Sequence, residues 1–230
     1  MKSFLRFILT MGGKAVTFVL GHPDDNPATA QVANRLVELV DRGEALALQQ
    51  RTGQVAYSAA TDQKADLRMK LENDLAALVG IARAAAKTHP DLTVHRRMPA
   101  RRTNEPTFLT TVRVATTEAR AAMALLVPFG FSEALLASLT TGLEAYDATL
   151  DRQASALAMQ VGAGAELEAV ASAIMDVVKN LDAVYRVRFQ DDRELMAAWK
   201  SARNVPWRIP VRAQEPESTP APEIAPPRSA

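Results

Sequence analysis

The residues of this chain that are best suited to chemistry form the run Gly-His-Pro-Asp-Asp at positions 21–25. An apolar stretch at positions 15–20 precedes it. Zinc in proteins binds imidazole and carboxylate groups and activates water for hydrolysis, so these residue types suit a zinc site. The same run also suits a turn, because Asp24, Asp25 or Asn26 can cap a following helix whose first turn accepts Pro27.

The run resembles the zinc-binding signature of the PIG-L/LmbE-type N-acetylglucosamine deacetylases. That resemblance implies that His22 and Asp25 are metal ligands, that Asp24 is the general base, and that the fold is α/β. The chain departs from the family pattern, because Asn26 stands where the family has Glu and no glycine-rich stretch follows. We therefore interpret the run as a helix-capping turn, with a zinc-dependent deacetylase-like hydrolase as the alternative.

The second group of candidate residues lies in the segment 89–106, which we predict to be a basic loop. Its spacing of His89, Asp91 and His95 permits metal binding, although no fourth ligand is apparent. Its exposed cations are candidates for contact with an anion or a partner protein: Arg96, Arg97, Arg101 and Arg102. The whole chain has 27 basic and 26 acidic residues, which argues against a dedicated nucleic-acid-binding protein.

Several common catalytic constellations are absent from the sequence. There is no cysteine, no Glu-x-x-His pair for a di-iron site and no Gly-x-x-x-x-Gly-Lys-Ser/Thr phosphate loop. We therefore predict a protein that is not an enzyme and that has no cofactor. The expected function is that of a helical scaffold or protein-interaction protein, and the absence of cysteine fits a cytoplasmic location.

Apolar residues at helical spacing dominate positions 27–88, with no proline between Pro27 and Pro90. The pattern predicts one long helix or a helical hairpin. Because glycine costs a helix about 1 kcal/mol relative to alanine, we expect a weak point between Gly43 and Gly53 or a break near Thr61.

The apolar segment from Phe4 to Leu20 predicts a short N-terminal helix within 1–21. With a central lysine and only 17 residues it is too short and too polar for a predicted membrane span. Its apolar face is expected to cover the bundle. A peripheral membrane contact, and cleavage as a signal peptide, are the alternatives.

The fold class predicted from these patterns is all-α, an antiparallel bundle of about four long helices with short terminal helices. Helical patterns fill 107–203, with glycines at 162 and 164 separating two of them. The last 27 residues hold seven of the 13 prolines, which predicts a disordered tail from 204 to 230. The chain resembles uncharacterised bacterial all-α proteins of similar size.

Aromatic residues concentrate near the end of the predicted domain: Tyr185, Phe189, Trp199 and Trp207. Our interpretation is that a short C-terminal helix folds back and closes one end of the bundle. The alternative is an aromatic docking surface for a partner, which is expected to be another protein or a second copy of the chain.

Overall fold

The computed structural model describes residues 2–205, and every regular element in that range is a helix. The all-α prediction is thereby confirmed. The Pro-rich tail predicted from residue 204 lies outside the described residues beyond Val205. The helices are α1 (Ser3–Gly21), α2 (Pro27–Thr88), α3 (Glu105–Ala121), α4 (Met123–Leu126), a 3₁₀ helix (Val127–Phe129), α5 (Glu133–Arg188) and α6 (Arg193–Ala202).

The two longest helices, α2 and α5, pack antiparallel along most of their length and form what we call the spine. Contacts between them run in opposite chain directions, since Arg42 pairs with Glu166 while Asp74 accepts a hydrogen bond from Ser138. Both helices begin with a side-chain cap: Asn26 accepts from the Ala28 amide, and Ser132 from the Leu135 amide. Each cap satisfies one of the unpaired amides of a first turn.

Glycines that we expected to weaken or divide the long helices instead mark places of close packing. Helix α2 is continuous through Gly43, Gly53 and Thr61, so it is one helix and not a hairpin. A Cβ on Gly43 would lie against the Leu9 side chain of α1. A Cβ on Gly53 would lie 2.9 Å from the backbone nitrogen of Gln160.

The division of 133–188 into two helices at Gly162 and Gly164 is wrong for a related reason. Helix α5 runs through both glycines without a break. Gly164 leaves room for the side-chain amide of Gln50, whose Nε2 would lie 2.8 Å from a Cβ at that position. Packing against α2 thus accounts for Gly164, whereas a Cβ on Gly162 would meet no atom within 4 Å.

The hydrophobic core is divided into two clusters, one at each end of the spine. The first lobe joins α1 and α6 to the N-terminal half of α2 and the C-terminal half of α5. The second lobe joins α3 and the loop residues Leu92 and Val94 to the C-terminal half of α2 and the N-terminal half of α5. Between the lobes only α2 and α5 are present, and we call this section, near residues 50–64 and 153–164, the waist.

Helix α1 is long and apolar enough to cross a membrane, by length and composition. Its 19 residues exceed the 17 that we counted from the sequence. Within the protein, the side chains of Ile8, Met11 and Ala15 are fully buried against the spine. This arrangement matches the expectation that the apolar face of the first helix covers the bundle.

Candidate functional site

The Gly-His-Pro-Asp-Asp run is the turn between α1 and α2, and its histidine is engaged within α1. The Nδ1 of His22 donates a hydrogen bond to the Phe18 carbonyl oxygen at 2.8 Å. The imidazole nitrogen is the donor, since a carbonyl oxygen can only accept. The imidazole also stacks on the Phe18 ring, with 4.3 Å between the ring centroids. The histidine therefore closes the last turn of α1 and covers an aromatic side chain.

The carboxylates of the same turn do not converge with that imidazole. The side chain of Asp24 accepts from the Asn26 amide at 3.0 Å and lies 3.5 Å from the Arg188 guanidinium, while Asp25 is exposed. Arg188 also donates to the carbonyl oxygens of His22 and Pro23, at 3.2 and 2.7 Å. Among residues 2–205 no three histidine or acidic side chains lie close enough together to hold a metal ion.

The loop 89–104 places its two histidines against different neighbours. The ring of His89 meets Phe129 edge-on at 6.1 Å, whereas the backbone amide of His95 donates to the Glu118 carboxylate. The four arginines predicted to contact an anion or a partner are all exposed and make no ion pair with any described residue: Arg96, Arg97, Arg101 and Arg102. Their role in binding stays a prediction.

Three of the aromatic residues near the C-terminus, Tyr185, Phe189 and Trp199, are buried, so these three form no docking surface. Trp199 of α6 is 0% exposed and meets Tyr185 edge-on, at 4.8 Å between the ring centroids. Its indole nitrogen donates to Asp182 at 3.0 Å. The interpretation that the last helix folds back and closes one end of the bundle is confirmed, and Trp207 lies outside the described residues. Burial raises the pKa of Tyr185; the charge of Arg188 opposes this rise, and the Asp24 carboxylate adds to it.

A polar cluster that the sequence did not indicate lies where the waist meets the second lobe. Lys64 pairs with Glu105 at 2.9 Å, and both side chains are partly buried. Burial, followed by the charge of Glu105, raises the pKa of the adjacent Tyr146 to about 12. Because the tyrosine stays protonated and the lysine is paired, the cluster has no activated nucleophile; it fixes the start of α3 to the spine.

Helices α1 and α3 both pack on one side of the spine, which we call the covered face. Positions seven residues apart share one side of a helix in this antiparallel pair. On α2 the series that contains Val40 and Leu75 is buried in the two lobes, by α1 and α3 respectively. On α5 the covered face includes Leu157 in the waist. Its side chain is 45% exposed because no third helix covers it there.

The opposite side of the spine, which we call the open face, is uncovered along its length. On α2 every position in the two seven-residue series from Arg35 to Ala84 and from Glu38 to Gly80 is exposed. In the waist the open face consists of uncharged side chains apart from the neighbours Asp151 and Arg152: Gln49, Thr52, Ala56, Ala59, Gln63, Ser155, Met159 and Gly162.

The centre of the open face is concave and apolar. A groove of ≈ 490 Å³ lies there between the two helices, with Ala56, Ala59, Ser155 and Met159 among the side chains that form it. The Met159 side chain is 41% exposed. The seven-residue spacing of these positions can be found in the sequence. The sequence does not indicate which side of the spine α1 and α3 cover.

No protein-family model, no curated protein and no solved structure matches this chain.

Proposed function

We propose that this protein is a non-enzymatic helical scaffold that binds another protein through the open face of its spine. The observation that carries the proposal is the one-sided arrangement of the fold. Helices α1 and α3 cover the same side of α2 and α5, and the other side is exposed from Arg35 to Ala84. The ends of that side carry charged residues such as Arg35, Glu38 and Lys70, and its apolar part is the groove at the centre. An uncovered apolar groove of this kind is a typical protein-binding site.

The side chains of the open face favour close contact with another helix. Ala56, Ala59 and Ser155 are small, so a partner backbone can approach the spine closely. Met159 adds a flexible apolar side chain that adapts to the shape of a partner. Two charged side chains, Asp151 and Arg152, help to form the groove, and their opposite charges partly offset the cost of burying them in an interface.

Site-specific photo-crosslinking in the cells that make this protein tests the proposal. A benzophenone amino acid is placed at Ala59 on the open face and, in a matched variant, at Ser58, the exposed neighbour that lies on the other side of α2. We expect a crosslinked protein, identified by mass spectrometry, at position 59 and not at 58. Equal crosslinking at both positions, or none at position 59, contradicts the proposal.

A further inference from the structure

Two glycines on the open face have no explanation within the single chain. Gly80 and Gly162 lie inside long helices, where glycine costs about 1 kcal/mol relative to alanine. A Cβ at either position would meet no atom within 4 Å. By contrast, a Cβ at Gly53 would meet the backbone of α5, so that glycine is explained by packing within the spine.

We propose that the partner of the open face is a second copy of this chain, packed face to face so that the two spines form a four-helix bundle. This inference rests on the proposed function, because it names the partner of that same surface. A second spine lying on the open face brings a helix backbone over Gly162, whereas Gly80 lies beyond the section 42–73 over which the two spines are expected to pack. Gly162 then has the role that Gly53 has inside the chain, which is to admit a neighbouring helix.

The size of the open face matches the area that a stable dimer needs. Residues 42–73 of α2 span about 47 Å at 1.5 Å per residue, and two packed helices are about 19 Å wide. The face therefore offers roughly 900 Å² per copy, and roughly 1,800 Å² in total lies within the standard range for specific interfaces. Because the same surface is used by both copies, the dimer has two-fold symmetry and closes without further growth.

The charges at one end of the face favour one orientation of the two copies. Arg42 and Glu166 face each other across the open face at the same level of the spine. If both copies point the same way, the two-fold axis places α2 over α5 of the second copy, and Arg42 of each copy lies opposite Glu166 of the other. The end-over-end arrangement, centred on Ala56, instead places Arg42 opposite Lys70, which carries a like charge, with Asp66 of the same face one turn away.

The test is sedimentation equilibrium of the full chain over a roughly hundredfold range of concentration. We expect a mass that rises with concentration to twice the 24.9 kDa of one chain. Ala56→Glu places a carboxylate in the centre of the open face and is expected to weaken dimerisation at least about tenfold. Ser58→Glu adds the same charge to the same turn of α2 on the other side, and we expect it to leave the dimer unchanged.

A third variant tests whether the dimer forms through the open face or through the part of the covered face that is exposed in the waist. Leu157→Glu changes the side chain left uncovered between α1 and α3, and we expect the dimer to persist. Circular dichroism of each variant checks that the fold is retained, which the exposure of all three side chains favours.

The outcomes distinguish this inference from the proposed function. A wild-type chain that stays monomeric at every concentration overturns the dimer, as does a dimer abolished by Leu157→Glu and not by Ala56→Glu. If position 59 then crosslinks to a different protein, the scaffold function stands with another partner. If position 59 crosslinks to nothing, the proposed function fails as well.

Discussion

The close approach of α2 and α5 at Gly53 gives the most specific prediction about stability. A Cβ at this position would lie 2.9 Å from the Gln160 nitrogen and 3.0 Å from the Ala156 carbonyl oxygen. Ordinary contacts to a Cβ begin at 3.4 Å, so the two helices must separate by about half an ångström. Both neighbouring atoms belong to the backbone of α5, so neither moves without moving the helix.

The magnitude of the effect of Gly53→Ala follows from two opposing contributions. Overpacking costs about 1–3 kcal/mol, and the better helix propensity of alanine returns about 1 kcal/mol. We expect a net loss of about 1 kcal/mol, which lowers the melting temperature of a chain of this size by about 2–4 °C. The measurement is thermal unfolding by circular dichroism, with urea unfolding at a fixed temperature as a second reading.

Gly13→Ala is the matched control for this prediction. Gly13 also lies inside a helix, but a Cβ there would meet no atom within 4 Å. We expect this variant to be about 1 kcal/mol more stable than the wild type, because only the propensity difference acts. If Gly53→Ala is stabilised as much as Gly13→Ala, the two long helices are not in backbone contact at the waist, and the account of the spine fails.

Three further changes test other parts of the fold. Folding raises the pKa of Tyr146 from 10 to about 12, so the stability that this tyrosine contributes is present below pH 10 and is lost as the pH rises towards 12. We expect the free energy of unfolding to fall by up to about 2–3 kcal/mol over that range. In Tyr146→Phe the free energy of unfolding, measured with urea, should depend less on pH between 10 and 12. Trp199→Ala empties the closed end of the first lobe and is expected to cost about 3–5 kcal/mol, whereas exposed Lys200→Ala should change the urea midpoint little. Asn104→Ala removes the side chain that accepts from the Thr107 amide at the start of α3, and calorimetry should show a loss of about 1 kcal/mol.

The helices themselves could be predicted from the sequence because their signals are local. Capping at Asn26 and the apolar spacing after Pro27 define the start of α2, and the apolar residues Leu195, Met196 and Trp199 indicate a short amphipathic helix. Continuity through Gly162 could not be predicted in this way. Whether a glycine ends a helix or continues it depends on the contacts of the neighbouring turns, here Gln50 over Gly164, which lie more than a hundred residues apart in the chain.

The candidate site was harder to predict than the fold for a similar reason. The Gly-His-Pro-Asp-Asp run attracts attention because its residue types suit zinc chemistry, yet His22 bonds to Phe18 and Asp24 faces Arg188. The open face contains ordinary residues such as Ala56 and Ser155, which carry no chemical signal. Its significance comes only from the fact that both α1 and α3 pack on the other side, and this is a property of the tertiary structure.

Disulfide crosslinking between single-cysteine variants tests the pairing of two open faces most directly, because the natural chain contains no cysteine. Ala56→Cys and Ser155→Cys proteins are mixed and oxidised mildly, since these positions of α2 and α5 face each other across the proposed interface. The account predicts a crosslinked product of twice the chain mass from this mixture, and none when Ser58→Cys replaces Ala56→Cys. Equal crosslinking with Ser58→Cys, or no crosslinked product from either mixture, contradicts the claim that the open face binds a second copy.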